Sequence, residues 1–357
     1  MKIGAREVGH GAGVYVIAEI GVNHDGDADR ALELVDLAAD AGADAVKVQV
    51  FEAERLMSRA ARLAVYQEAA GETDPVEMLR RLELPMRGMA RVAARAHARK
   101  IHAIATVFSV ELVEGAAGLG FDAFKSASPD IVNRPLLEAM AATGAPLIVS
   151  TGASTLSEVE RAATWLAPIR ARLAMLQCVS AYPVPDADAA LGGIEAIRAA
   201  TGLPTGYSDH TRGVETGALA VGAGACLLEK HLTYDRTAQG PDHGASLDGE
   251  QMKEYVELAR RAAAAGPDRA AGGSGPAATA VRVEKRVLEV ERDVRLASRQ
   301  SLVSRRALRA GHALRAEDVV IKRPGTGIEP WRLSETIGRT LASDVDADVP
   351  LCDGDLR

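Results

Sequence analysis

Cysteine is scarce in this sequence: three residues, Cys178, Cys226 and Cys352, stand far apart with no CxxC pair. That spacing excludes a disulfide framework and a zinc knuckle, and the three are expected to serve as small apolar residues. Long apolar runs are missing too, since nothing approaches the roughly 18 to 20 residues that a membrane span needs. The opening stretch MKIGAREVGHGAGVYVIAEIG lacks the apolar core and cleavage site of a secretory signal. The expectation is a cytoplasmic protein with no membrane partner. An excess of positive charge is also absent: the formal net charge is −7, which argues against a nucleic-acid partner. Arginines do gather between Arg292 and Arg315, but acidic residues are interspersed and aromatic residues are lacking there, so the stretch reads as solvated surface.

What is present is the balance of a globular protein, 47% hydrophobic and 25% charged over 357 residues. Up to about residue 265, short β-rich runs alternate with longer Ala-, Leu- and Arg-rich stretches of helical period. The strand candidates are VYVIAEIG, AVKVQV, HAIATVF, AFKSAS, PLIVSTG, LAMLQCV, TGYSDH and CLLEKHL. Between them lie helices such as DADRALELVDLAADAG, with Asp27 as N-cap and Gly42 past its end, and STLSEVERAATWLA, with Ser154 or Thr155 at the cap and Glu158 placed for a capping box. Apolar strands alternating with helices form a parallel sheet covered on both faces, and eight such units in about 250 residues predict an α/β chain closed into a (β/α)8 TIM barrel. Periodicity alone leaves a doubly wound open sheet as the alternative. The barrel is expected over 1–265. Residues 266–297 are expected to hold a Gly-, Ala- and Pro-rich linker and then a charged helical stretch, VRVEKRVLEVERDVRLA. Residues 298–357, with short strands and turns around KRPGTG, read as a small β-rich module too small to bury much core alone.

A parallel barrel places its active site where strands end and βα loops begin. Polar residues gather at those ends: Glu19 on the first strand, Lys47 and Gln49 on the second, Thr106 on the third, Lys125 on the fourth with Ser128 after it. Ser150 closes the fifth, Tyr182 follows the sixth, Ser208 and His210 end the seventh, and Glu229 and His231 end the eighth, with Asp242 in the loop beyond. Desolvating so many polar groups without partners would cost a few kcal/mol each, so they are expected to serve one ligand or network. Two lysines with the hydroxyls of Thr106, Ser128, Ser150 and Ser208 can surround a phosphate and a carboxylate. Two histidines from adjacent strand ends make an incomplete sphere for a divalent ion. Lys230, between Glu229 and His231, takes the opposite face of its strand. His97, His102 and His312 lie away from these ends and are assigned no chemistry.

The stretches VIAEIGVNHDGD, AVKVQVF, AVYQ, EMLRRLEL, VSTGAS, CVSAYPVP, GYSDHTRG, LEKHLTYDR, GPDHGASL and VIKRPGTGI follow one another in an order that closely resembles the sialic acid synthase family, including its legionaminic and pseudaminic acid relatives. The resemblance implies a TIM barrel joined to a C-terminal antifreeze-like (SAF) module. It implies condensation of phosphoenolpyruvate with the aldehyde of an N-acetylmannosamine-type sugar, giving a nine-carbon 2-keto acid and phosphate. A divalent metal is implied as cofactor, Mn2+ first, with Mg2+ or Co2+ as alternatives. By motif, Lys47, Thr106, Lys125, Ser128, Ser150 and Ser208 would hold phosphoenolpyruvate, and His210 and His231 the metal. Glu19, Gln49, Tyr182, Glu229 and Asp242 would surround the N-acyl amino sugar and the attacking water, with Glu19 first and Asp242 second as the proton-transferring carboxylate. Arg323 would be delivered into the barrel of the partner subunit of a domain-swapped homodimer.

The chain departs from the family at FKSASPD, where relatives carry a glycine-containing turn, at Val107, and at Ser180, which is Asn in some relatives. None removes a proposed metal ligand. Two other readings stay open: a Schiff-base aldolase using Lys47 or Lys125 as nucleophile, and a non-catalytic carbohydrate-binding protein.

Overall fold

The computed structural model describes residues 1–265 and 282–357. Eight parallel strands close into a barrel: β1 (Tyr15–Glu19), β2 (Ala45–Val50), β3 (His102–Val107), β4 (Ala123–Ser126), β5 (Leu147–Ser150), β6 (Leu173–Cys178), β7 (Thr205–Asp209) and β8 (Leu227–His231), with β8 pairing back to β1. The predicted TIM barrel is thus the observed fold, and the open sheet is excluded.

Each strand follows a two-residue rule. Tyr15, Ile17, Ala45, Ile104, Ala123, Ile148, Ala174, Leu176 and Leu227 form one apolar cluster inside the barrel, joined by Ile3 and Val8 of the N-terminal segment. Their neighbours, such as Val16, Val46, Ala105 and Val149, belong to the larger cluster between strands and helices. This alternation is the pleat of a strand read on its two faces. At Gly206 the interior is so tight that a Cβ would strike the Leu227 carbonyl and the Leu176 side chain.

The helix signals resolve as read. Asp27 caps the helix Ala28–Asp40 by accepting from the Asp29 and Arg30 amides. Gly42 follows it at φ +81°. Thr155 caps Leu156–Trp165 and forms a capping box with Glu158.

Two expectations need correction. The stretch expected to be helical is irregular from 282 to 288, passes through a 3-10 turn at Glu289–Glu291, and is α-helical only over Arg292–Ser298. Val283, Val287 and Val290 restrict its χ1 angles, and its polar side chains bond to barrel backbone instead. The linker itself, residues 266–281, lies outside the described residues. The arginine-rich run is not all solvated either: Arg299 is 5% exposed and, with Arg295, pairs with Glu158.

In the C-terminal module, β9 (Ser301–Ser304) pairs antiparallel with β10 (Val319–Lys322), over a core that includes Leu302, Leu314, Ile328, Leu341 and Leu351. The module packs on the barrel of its own chain. The Arg323 amide donates to Leu56 O at 2.9 Å and the Ser58 amide to Arg323 O at 3.1 Å. The Asn133 side-chain amide donates to Gln300 Oε1 at 2.6 Å.

Candidate active site

The interior turns from apolar to polar within the last few residues of the strands, in steps of two. Ile17 gives way to Glu19, Ala45 to Lys47, Ile104 to Thr106, Ala123 to Lys125, Ile148 to Ser150, and Leu227 to Glu229. Register then sets them side by side. His231 lies opposite Glu19, Glu19 opposite Lys47, Gln49 opposite Thr106, Thr106 opposite Lys125, and Ser208 opposite Glu229. They open into a cavity at the C-terminal mouth of the barrel, lined by all fourteen of the residues singled out from the sequence, from Glu19 to Arg323.

Glu229 is the electrostatic centre of the site. Its Oε1 accepts from Ser208 Oγ at 3.0 Å and lies 3.3 Å from Lys125 Nζ and 3.9 Å from Lys47 Nζ. Burial works to raise its pKa, but Lys125 and Lys47 outweigh burial and hold the carboxyl below its ordinary value. Lys47 also contacts Glu19 Oε2 and donates to Thr106 Oγ1 at 3.0 Å; burial pushes its pKa down to about 7. The other oxygen of Glu19 accepts from the Gly21 amide at 2.6 Å. Asp242 pairs with neither lysine, and burial, against the pull of His210, His243 and Lys47, raises its carboxyl to about 6. Its loop is pinned by the adjacent His243, which bonds Asp25 at 3.0 Å and Thr233 at 2.7 Å.

The two imidazoles lie 5.4 Å apart between ring centroids. His210 Nδ1 donates to Val179 O at 2.9 Å, so that Nε2 offers a lone pair once the ring is neutral. Burial alone would depress His210, but the neighbouring Cys178 sulfur and Val179 carbonyl hold it above its ordinary pKa. His231 is kept well below its own by burial and the positive charge of His210 and Lys47. Its Nδ1 is buried without a hydrogen-bond partner, 3.8 Å from Asp242 Oδ2. Among the described residues no three His, Cys, Asp or Glu side chains converge closely enough to hold a metal ion. The two imidazoles, with His231 Nδ1 unpartnered, could at most supply two ligands to a divalent ion, the other positions falling to water or substrate.

Ser150 Oγ and Glu229 Oε2 are also buried without partners, as expected of groups that serve a ligand. Lys230, by contrast, faces outward as expected: its Nζ lies 3.1 Å from Asp209 Oδ2 and above the Tyr255 ring.

Arg323 reaches the cavity of its own chain, with its guanidinium over the Phe108 ring at 5.7 Å. Within this chain the module seats beside the helix Ala53–Leu56, where Met57 and Arg323 bridge. Sequence reasoning also missed several groups. Tyr66 stacks on Tyr182 at 4.9 Å, and Tyr182 on His210 at 4.2 Å. Phe51, Leu56, Met78, Leu79, Leu82 and Phe108 give the mouth an apolar wall. Asp130 is fully buried with both carboxylate oxygens unpartnered, and burial raises it to about 7 against the opposing pull of Arg323 and Arg299. AVYQ and FKSASPD contain Tyr66 and Asp130, but neither lies at a strand end where the search was directed. Cys178 touches His210 at 3.8 Å and Cys352 is exposed, so apolar filling describes Cys226 alone.

A closed parallel barrel with lysines, carboxylates, hydroxyls and imidazoles ringed at one end places the chain among the TIM-barrel proteins. Residues 34–269 match the NeuB family and residues 299–357 the SAF domain; the chain belongs to the NeuB family. It is 37% identical to the N,N'-diacetyllegionaminic acid synthase of Legionella pneumophila, over 94% of this chain and 93% of that protein. Identity to the synthase of the same name from Campylobacter jejuni is 33%, over 93% of this chain and 97% of the relative. The crystal structure of the spore coat polysaccharide biosynthesis protein SpsE from Bacillus subtilis superposes with a TM-score of 0.86 at 28% identity, covering 100% of this chain and 99% of that one. No helix among the described residues is long and apolar enough to cross a membrane.

Proposed function

We propose that the protein condenses phosphoenolpyruvate with the open-chain aldehyde of an N-acylated amino hexose, releasing phosphate and forming a nine-carbon 2-keto acid. The observation that carries this reading is the set of two lysines and four hydroxyls lining one cavity at the C-terminal mouth of the barrel, which suits a ligand bearing a phosphate and a carboxylate. The names of the two synthases above favour a diacetamido acceptor and a legionaminic-type product.

In this reading Lys47 and Lys125 exchange part of their pairing with Glu229 for the two anionic groups, while Thr106, Ser128, Ser150 and Ser208 donate hydrogen bonds to them. Gln49, Tyr182 and Arg323 face the sugar, and the apolar wall receives its N-acyl methyl group. A divalent ion held by His210 and His231, Mn2+ first with Mg2+ or Co2+ as alternatives, would supply Lewis-acid polarisation of the aldehyde oxygen. The methylene carbon of phosphoenolpyruvate bonds to the aldehyde carbon, and cationic character develops at C2 beside Glu229. Water adds to C2, and the C2–O bond breaks with its electron pair leaving on phosphate. A carboxylate must take one proton from the water and pass it to the alkoxide left on the former aldehyde oxygen, while the second proton leaves with phosphate as C2=O forms. Glu19 is tied to Lys47 and the Gly21 amide, whereas Asp242, lifted toward neutrality, is better matched to accept and return a proton. Asp242 therefore takes first place in that role, reversing the order assigned from sequence.

The test is to incubate the purified protein with phosphoenolpyruvate, Mn2+ and a panel of N-acyl hexoses, measuring inorganic phosphate and the mass of the acid formed. Equal amounts of phosphate and a nine-carbon acid with at least one acceptor are expected; no phosphate release with any acceptor would overturn the reading. The lowered pKa of Lys47 favours one rival, a Schiff-base aldolase. Its contact with Glu19 opposes that rival, and borohydride with pyruvate is expected to leave Lys47 and Lys125 unmodified.

A further inference from the structure

Residues 285–299, between barrel and module, reach two loops of the site. Glu291 is fully buried. Its Oε1 accepts from the Ala153 amide at 2.5 Å and the Ser180 amide at 2.8 Å, and its Oε2 from the Leu288 amide at 2.9 Å. One oxygen thus ties the loop after β5, which follows Ser150, to the loop after β6, which leads to Tyr182. Ala153 sits at φ +50°, a left-handed conformation that costs a residue other than glycine. Connector side chains hold both of its polar backbone groups: Glu291 takes the N–H, and Arg299 donates to the C=O at 3.0 Å, joined by Arg295. Lys285 donates to Cys178 O at 3.4 Å.

What these bonds fix is a cradle. At Gly152 an added Cβ would lie 2.8 Å from Ser128 Oγ and 3.0 Å from Cys178 Sγ, and would also strike Ser180 Oγ. The Gly152 amide itself donates to Ser128 Oγ at 2.9 Å. A buried carboxylate beside an anion site is unfavourable unless its charge is occupied, and here three backbone donors occupy it.

We infer that Glu291 is a positioning residue for the phosphoenolpyruvate half of the site, holding the loops after β5 and β6 in register so that the hydroxyls of Ser128, Ser150 and Ser180 converge. This rests on the function proposed above. A charged hydrogen bond lost from a buried network is worth about 1.5–3 kcal/mol, a factor of about 10 to 100 in affinity if it is spent on preorganisation.

The test is titration of wild type, Glu291→Gln and Glu291→Ala with phosphoenolpyruvate alone, joined to hydrogen–deuterium exchange. Glu291→Ala is expected to weaken phosphoenolpyruvate binding about tenfold or more and to speed exchange at Ala153 and Ser180, with a smaller rise in the KM for the sugar through the loop that leads to Tyr182. Glu291→Gln keeps an acceptor for the Ala153 and Ser180 amides but loses the charge and turns an NH2 toward the Leu288 N–H, so about threefold weakening is expected. It carries the test if Glu291→Ala does not fold. Unchanged phosphoenolpyruvate affinity in the folded variants overturns the inference. If wild type itself does not bind phosphoenolpyruvate, the functional reading fails instead; unchanged exchange at Ala153 and Ser180 would then overturn the clamp independently.

Discussion

Lys125 shows how little protein is committed to holding a site cation. Its ammonium donates to Ser126 O at 3.4 Å and otherwise faces Glu229 at 3.3 Å, so its charge is available to an incoming anion. Lys125→Met is expected to weaken phosphoenolpyruvate binding about 10- to 100-fold, the worth of one charge-assisted contact, with a smaller loss of stability because Lys47 still faces the buried Glu229 at 3.9 Å. Calorimetric titration checks this, and an unaltered affinity would remove Lys125 from the site. Lys230, next to His231, makes the opposite prediction. Its ion pair with Asp209 is fully buried, and each partner adjoins one of the two imidazoles. Lys230→Met is expected to destabilise the fold by about 3–5 kcal/mol by leaving Asp209 uncompensated, and a Lys230→Met/Asp209→Leu double variant to recover most of that; denaturant unfolding measures both. At this scale the strand-end residues were legible because pleat alternation and barrel direction together say which side chains share the mouth. Asp130 and Glu291 were not, because no period marks a residue whose role is set by contacts far along the chain.

Among elements, the eight strands and the helix caps were readable from apolar runs and cap chemistry. The connector was not: its charges suggested a helix, but those side chains are used across the barrel, on Glu158 and on the backbone of two loops. Glu158 joins the helix it caps to the connector helix through Arg295 at 2.8 Å and Arg299 at 3.3 Å. Burial acts to raise its pKa, but Arg295 and Arg299 prevail and bring it down to about 2 from 4.5. A carboxyl lowered on folding stabilises the fold fully above its unfolded pKa and loses that contribution as pH falls through the folded value. Wild type is therefore expected to lose up to about 3 kcal/mol from this pair between about pH 4.5 and 2. Glu158→Gln is expected to start less stable at pH 7 and to show a shallower decline in that window. Unfolding free energies at stepped pH are the check, and parallel curves for the two proteins would contradict the assignment.

Taken as a whole molecule, the chain encloses its site with a barrel and a module whose Arg323 reaches the cavity from the same chain. The resemblance to sialic acid synthases implied instead a homodimer that exchanges this module. The sixteen residues from 266 to 281 could span about 50 Å if extended, at about 3.3 Å each, so their length permits the same seating on a neighbouring barrel. We propose such an exchange in the assembled enzyme. Mixing Lys125→Met protein, with its intact module, and Arg323→Ala protein, with its intact barrel, after joint refolding is expected to restore up to about a quarter of wild-type activity by pairing good barrels with good modules. No recovery would mean that each chain completes its own site. Fold and barrel mouth were legible because both follow from local pattern; the seating of the module was not, because which barrel receives it is decided by assembly.

The most direct measurement is a crystal structure of the protein soaked with phosphoenolpyruvate and Mn2+. Phosphate and carboxylate are predicted to lie against Lys47 and Lys125, with Mn2+ on His210 and His231. Bare imidazoles, or phosphoenolpyruvate bound away from the two lysines, would contradict the account.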